Sequence, residues 1–116
     1  MNQGMNTYAA GAYAASQTQN LSREQVLLGL YDFAVAGCVA RDARKASAAV
    51  VELIAALDFN YEEIAGGLYR LYEYSLREIK AGHFDQAHAV LSGLRDAWRQ
   101  AFGVAPAEAG LAAIAV

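Results

Sequence analysis

The sequence contains little cysteine, proline or net charge, and each shortage excludes a class of protein. A single cysteine, Cys38, rules out an internal disulfide framework and a site with several thiolate ligands, and is typical of a reducing compartment. Nine basic residues against twelve acidic ones give a net charge of -3, which excludes a basic groove for nucleic acid. The single proline, Pro106, lies outside residues 21–102, so long helices can form there without interruption.

The sequence also lacks a long hydrophobic run and a basic leader. Apolar residues make up 56% of the chain, but 26 of them are alanine, so the total indicates helix-forming composition instead of a membrane span. Residues 1–20 carry no charged side chain, so they lack the basic start of a signal peptide. We expect a cytoplasmic protein with three parts: a flexible N-terminal segment (1–20), one helical domain (21–102) and an alanine-rich C-terminal tail (103–116).

The first half of the domain shows one clear helix start and one weaker turn. Ser22 and Gln25 have the spacing of a capping box, which predicts that a helix begins near Arg23. The polar residues of 41–47 predict the turn into a second helix. No glycine or proline marks this turn, so the pattern also allows a single longer helix.

The second half predicts two further helices. The third helix covers about residues 61–81 and ends at Gly82, a residue suited to a left-handed cap. Asp85 is the predicted N-cap of the fourth. Short connections favour antiparallel neighbours, so the sequence predicts an all-α, up-down-up-down four-helix bundle. The third helix is expected to bury Ile64, Leu68, Leu71, Tyr72 and Ile79.

The first helix has more apolar surface than one face of a bundle requires. A helix that is apolar on all sides must be covered on more than one side, by a larger core, by a flanking segment or by another molecule. Its predicted inward face consists of Leu27, Leu30, Ala34 and Cys38, and Leu28, Tyr31 and Val35 add apolar atoms on the remaining sides.

No arrangement of residues points to catalysis or to a metal. His83 and His88 are five residues apart, so they face different sides of a helix, and the predicted inward faces lack a Glu-x-x-His motif. Cys38 lies on an apolar face and is predicted to fill the core. We therefore expect a protein that is not an enzyme and that has no metal site and no cofactor.

Two tyrosines of the N-terminal segment suggest a binding role. Tyr8 and Tyr13 lie among small, uncharged residues, where a core has no use for them. An amphipathic ring on a flexible tether is suited to docking into an apolar groove. Incidental aromatics in a disordered tail are the alternative interpretation.

Three segments in order resemble the FliS family of flagellin-export chaperones. Residues 22–32 (SREQVLLGLYD) resemble that family's opening helix, and residues 94–98 (LRDAW) resemble the end of its fourth. Between them, residues 53–58 (LIAALD), 63–65 (EIA) and 71–74 (LYEY) are similar to the signature around the third helix. The resemblance covers about residues 16–102.

The sequence departs from the family pattern at a few positions. Arg23 stands where members commonly have proline after the capping serine, and Gly66-Gly67 follow the Glu-Ile-Ala segment instead of preceding it. The first and last hairpins are also shorter than usual. Both turns lie at one end of the predicted bundle, so shortening both keeps the helices in register.

The resemblance implies a cytoplasmic chaperone that holds the disordered C-terminal segment of flagellin in apolar grooves, prevents premature polymerisation and aids type III export. It further implies contacts with export-gate components, and a monomer or weak homodimer. In this hypothesis the N-terminal tyrosines cover the groove until flagellin displaces them. The predicted partner-binding residues are Tyr8, Tyr13, Leu28, Tyr31, Val35, Leu68 and Tyr72.

A second hypothesis uses a different resemblance. Residues 81–91 are similar to the start of a tetratricopeptide helix, which indicates a helical adaptor or a homo-oligomerisation module with another protein partner. No repeat with a period of about 34 residues accompanies it. A small-molecule-binding or catalytic bundle is a third possibility, and it would need inward polar groups that the predicted faces lack.

Overall fold

Four helices form an antiparallel bundle in the computed structural model, which describes residues 21–103. Helix α1 spans Arg23–Val39, α2 Ala43–Ala55, α3 Glu62–Lys80 and α4 Phe84–Ala101. A short 3-10 turn, Phe59–Tyr61, precedes α3. Each of α1 and α3 packs against both α2 and α4. The predicted all-α four-helix architecture is confirmed, although α2 is shorter than its neighbours.

The start of α1 is fixed by the predicted capping box. The backbone N–H of Gln25 donates to Ser22 Oγ (3.1 Å), and the backbone N–H of Ser22 donates to Gln25 Oε1 (2.8 Å). These two bonds satisfy backbone donors that a helix N-terminus otherwise leaves without partners. The helix therefore begins at Arg23, as the sequence predicts.

The turn between α1 and α2 lies where the polar stretch begins, so the single longer helix is excluded. Arg41 adopts a left-handed backbone conformation (φ 55°), and the N–H of Asp42 donates back to the carbonyl of Gly37 (2.8 Å). This pattern closes a helix end without glycine. Asp42 then caps α2 by accepting from the N–H of Lys45 (3.0 Å).

The turn between α3 and α4 has the same geometry, with Gly82 in the left-handed position as predicted (φ 82°). The prediction that Asp85 caps α4 is wrong, because α4 begins at Phe84, which places Asp85 in its first turn, and the N-cap residue, His83, makes no side-chain cap. The Asp85 carboxylate instead accepts from Arg41 Nη2 (3.3 Å), and the Arg41 guanidinium lies over the ring of Phe84. Arg41 therefore links the two tight turns at one end of the bundle.

Charged side chains join α1 to α4 further along the helices. Asp32 Oδ1 accepts from Arg95 Nη1 (3.1 Å) and from Arg99 Nη2 (3.3 Å). Both guanidinium side chains are mostly buried, at 18% and 14% exposure, but the Asp32 carboxylate is 51% exposed, so water still screens these contacts. The pairs hold the middle of α1 against the last turns of α4.

The buried face of α1 differs from the predicted one. Ala34 and Cys38 are buried as expected, whereas Leu27 and Leu30 are only partly buried. Residues on the sides of α1 that were predicted to face outward also belong to the core, because two neighbouring helices pack against α1. In α3, the prediction that Ile64 and Leu71 are buried is wrong, because they are 63% and 40% exposed. The largest core side chains are Tyr31, Val50, Leu53, Tyr72, Ile79 and Leu91.

Candidate functional site

An apolar groove opens at the end of the bundle opposite the two tight turns, where α1 and α3 begin and α2 and α4 end. We call it the main groove, and its volume is about 290 Å³. All four helices contribute to it, and Asp58 is its one charged lining residue. The lining consists of Leu27, Leu53, Ala56, Leu57, Asp58, Tyr61, Ile64, Ala65, Leu68, Tyr72 and Trp98.

The rim of the main groove exposes large apolar side chains at the start of α3. Tyr61 is 67% exposed and Ile64 is 63% exposed, and the neighbouring Phe59 is also exposed. Asp58 accepts from the N–H of Asn60 (3.0 Å) and so fixes the short turn that presents these residues. Adjacent exposed apolar residues around a concave surface are typical of a protein-binding site.

A second groove adjoins the first and shares Leu27 and Ala56 with it. This adjoining groove has a volume of about 450 Å³ and runs along the start of α1 to Phe102, which stacks on Trp98 of the main groove (centroids 5.4 Å apart). The shared residues place the two grooves side by side. The adjoining groove is lined by Leu21, Arg23, Glu24, Val26, Leu27, Leu30, Ala56 and Phe102.

A hydrogen-bonded chain joins two lining residues of the main groove, Tyr72 and Trp98, through the buried Tyr31. Trp98 Nε1–H donates to the hydroxyl of Tyr31 (3.0 Å), and the hydroxyls of Tyr31 and Tyr72 share a hydrogen bond of 2.5 Å. Tyr31 and Tyr72 are 0% and 1% exposed. Burial raises the pKa of both tyrosines above its ordinary value, so both hydroxyls remain protonated and can donate.

The position of Tyr31 in the middle of this chain predicts unequal effects of removing the two hydroxyls. Tyr31→Phe leaves both the Trp98 N–H and the Tyr72 hydroxyl without their partner, whereas Tyr72→Phe leaves only the Tyr31 hydroxyl without one of its two hydrogen bonds. We expect Tyr31→Phe to lower the free energy of unfolding by about 1–3 kcal/mol and Tyr72→Phe by about 1 kcal/mol or less. Urea denaturation of the two variants and the wild type measures the difference. Equal losses of unfolding free energy in the two variants would contradict the central role of Tyr31.

The predicted partner-binding residues lie in different places. Leu68 and Tyr72 line the main groove, and Tyr31 lies beneath it. Leu28 and Val35 are buried at 8% and 6% exposure and line neither groove. Tyr8 and Tyr13 lie outside the described residues. The partner-binding set as a whole stays a prediction.

Sequence reasoning missed the rim of the main groove. Helical spacing with Leu68 predicts a core position for Ile64, which the structure places on the rim. Helical spacing predicts Tyr61 only as the start of the third helix. It predicts that Leu57 belongs to the inner face of the second helix. The sequence feature that could have indicated the rim is the short connection at Asp58–Asn60. A connection this short leaves the first turn of the next helix at the edge of the bundle.

The other candidate groups do not form a reactive site. Within residues 21–103, no group of three or more His, Cys, Asp or Glu side chains is placed to hold a metal ion. His83 Nδ1 hydrogen-bonds Glu78 Oε2 (2.7 Å) at the surface. Cys38 is 1% exposed, and burial raises the pKa of its thiol, which keeps it protonated and disfavours a nucleophilic role.

None of the helices in the described part of the chain is long and apolar enough to span a membrane.

Comparison with protein families matches residues 38–105 to the family described as flagellar protein FliS. The matched range includes the end of α1 and all of α2, α3 and α4, more than half of the chain. Comparisons with curated proteins and with solved structures find no significant match. The match contains two of the three segments that suggested the resemblance, and the bundle has the helices that the family implies. The chain therefore belongs to the FliS family of flagellar export chaperones.

Proposed function

We propose that this chaperone binds the disordered C-terminal segment of flagellin in the main and adjoining grooves, in the cytoplasm, and so prevents premature polymerisation before type III export. The exposed apolar rim at Tyr61 and Ile64 is the observation that carries the proposal. Covering Ile64 fully contributes about 1–2 kcal/mol, since complete burial of such a side chain is worth about 1.5–3 kcal/mol. Several such contacts offset the entropy lost when a disordered segment folds on the surface.

The shape of the two grooves favours a long, wrapping ligand. They share Leu27 and Ala56, so one segment can extend from the rim at Ile64 across both grooves toward Phe102. A small molecule would need convergent polar groups, whereas the main groove has Asp58 as its one charged lining residue. Delivery to export-gate components belongs to the same proposed role.

Isothermal titration of the full chain with the C-terminal segment of the same organism's flagellin tests this function. We expect saturable binding at micromolar or lower concentration with a negative heat-capacity change, which marks apolar burial. A peptide of the same composition in reversed order is the control. Absence of binding by a folded chain, shown by circular dichroism, would contradict the proposal.

We propose further that residues 1–20 form a separate segment that competes with flagellin through Tyr8 and Tyr13. Deleting residues 1–20 is then expected to strengthen flagellin binding, because the groove no longer has to be vacated. Unchanged affinity would reject competition while leaving flagellin binding intact.

Light scattering distinguishes the alternative of a homo-oligomerisation module, in which a stable dimer would cover the grooves without flagellin.

A further inference from the structure

The chain leaves the fourth helix at the edge of the adjoining groove. Helix α4 ends at Ala101, and the next residue, Phe102, lines the adjoining groove. Gly103 follows in a left-handed conformation (φ 73°), and its N–H donates to the carbonyl of Gln100 (3.2 Å). This geometry ends a helix and turns the chain away from the helix axis. Residues 104–116 of the C-terminal tail therefore begin beside an apolar groove.

The sequence of the tail supplies apolar side chains within reach of this groove. Residues 104–116 (VAPAEAGLAAIAV) lie outside the described part of the chain. Leu111 and Ile114 are three positions apart, a spacing at which two residues share one face of a helix. The eight residues that follow Gly103 span up to about 26 Å when extended. The part of α1 that lines the groove, residues 23–30, is only about 11 Å long, so Leu111 can reach all of it.

The charges favour the C-terminal tail as the occupant and the adjoining groove as its place. Glu108 is the one charged residue of 104–116, and Arg23 is the one basic residue among those that line the two grooves. The main groove offers only Asp58, which repels a second carboxylate. Residues 1–20 carry no charged side chain, so they have no such complementarity with Arg23.

We infer that residues 104–116 fold back over the adjoining groove and cover it with Leu111 and Ile114 until flagellin displaces them. This regulation rests on the proposed flagellin-binding function, whereas the covering of the groove can be measured without flagellin. The tether holds the tail at a high local concentration, so weak contacts suffice to keep the groove covered. Flagellin then binds with an affinity that is reduced by the fraction of molecules in which the groove is open. The main groove stays available as the first contact.

Methyl NMR spectroscopy of the full chain without flagellin tests the covering directly. We expect Leu111→Asp to shift the methyl resonances of Val26 and Leu30, which line the adjoining groove, because their apolar neighbour is lost. The methyl resonances of Val39, which lines neither groove, should stay in place. Ala112→Asp is the matched control, because it adds the same charge one position away and retains the leucine. Circular dichroism verifies that both variants are folded.

Calorimetric titration with the flagellin C-terminal peptide measures the effect on binding. We expect Leu111→Asp to bind about three- to tenfold more tightly than the wild type, which corresponds to a groove covered in about 70–90% of molecules. Ala112→Asp should bind within about twofold of the wild type. Unchanged affinity of Leu111→Asp would overturn the competition with flagellin. Failure of the peptide to bind any of the three proteins would instead refute the proposed function and leave the methyl measurement valid.

The methyl resonances also distinguish the other possible occupants of the adjoining groove. Resonances of Val26 and Leu30 that stay unchanged in Leu111→Asp would overturn the inference. If they shift only when residues 1–20 are deleted, the N-terminal segment covers the groove, and if they shift with protein concentration, a second copy of the chain does. Either result would overturn the assignment to residues 104–116.

Discussion

Ile64→Asp is expected to weaken flagellin-peptide binding by at least about thirtyfold while the bundle remains folded. The variant removes an exposed apolar contact at the rim of the main groove, worth about 1–2 kcal/mol when covered, and places a carboxylate that the bound segment must desolvate. Stability should change little, because position 64 lies in the first turn of α3, where a negative charge complements the helix dipole. Calorimetric titration and urea denaturation measure the two effects.

Val51→Asp is the matched control for Ile64→Asp. Val51 is also an exposed apolar residue on a helix (51% exposed), but it lies on α2 and lines neither groove. We expect it to bind the peptide within about twofold of the wild type, since a surface substitution away from the contact has little effect. Equal weakening by both variants would indicate a nonspecific effect of charge, and no weakening by either would place the binding surface elsewhere.

The helix boundaries were largely predictable because they depend on local chemistry. Ser22 with Gln25 defines the start of α1, and Gly82 defines the end of α3, through hydrogen bonds within a few residues. Asp85 misled the prediction because its side chain serves a distant partner, Arg41, instead of its own helix. Local signals thus located the helices even though one cap was assigned incorrectly.

The faces of the helices and the groove were much less predictable. Because α1 has apolar residues on all sides, their spacing does not identify which face is buried. Packing against the two neighbouring helices determines that face. The contact between Tyr31 and Tyr72 joins residues 41 positions apart, so no local pattern indicates it. Ile64 has the spacing of a core residue, but its position at the edge of the bundle leaves it exposed.

The close approach of α1 and α2 gives a second prediction with a large expected effect, here on stability. A Cβ atom at Gly37 would lie 2.6 Å from the backbone nitrogen of Ala46 and 2.8 Å from its Cα, closer than real Cβ contacts occur. Because the tight turn holds Asp42 N–H to the Gly37 carbonyl (2.8 Å), α2 cannot move away without breaking that bond. We expect Gly37→Ala to lower the free energy of unfolding by about 1–3 kcal/mol, despite alanine's higher helix propensity.

Two further variants show whether the Gly37 effect comes from backbone contact. Gly29 lies in the same helix, and a methyl group added there would have no neighbouring atom within 4 Å, so Gly29→Ala is expected to raise stability by up to about 1 kcal/mol through helix propensity alone. Ala46→Gly combined with Gly37→Ala removes only the contact to the Ala46 methyl (2.9 Å) and leaves both backbone contacts, so it should not restore stability. Urea denaturation of the variants measures these differences. Full rescue by the double variant, or a Gly37→Ala protein as stable as Gly29→Ala, would contradict backbone contact between α1 and α2. If the stabilities follow the expected order, the register of this hairpin depends on the absence of a side chain at position 37.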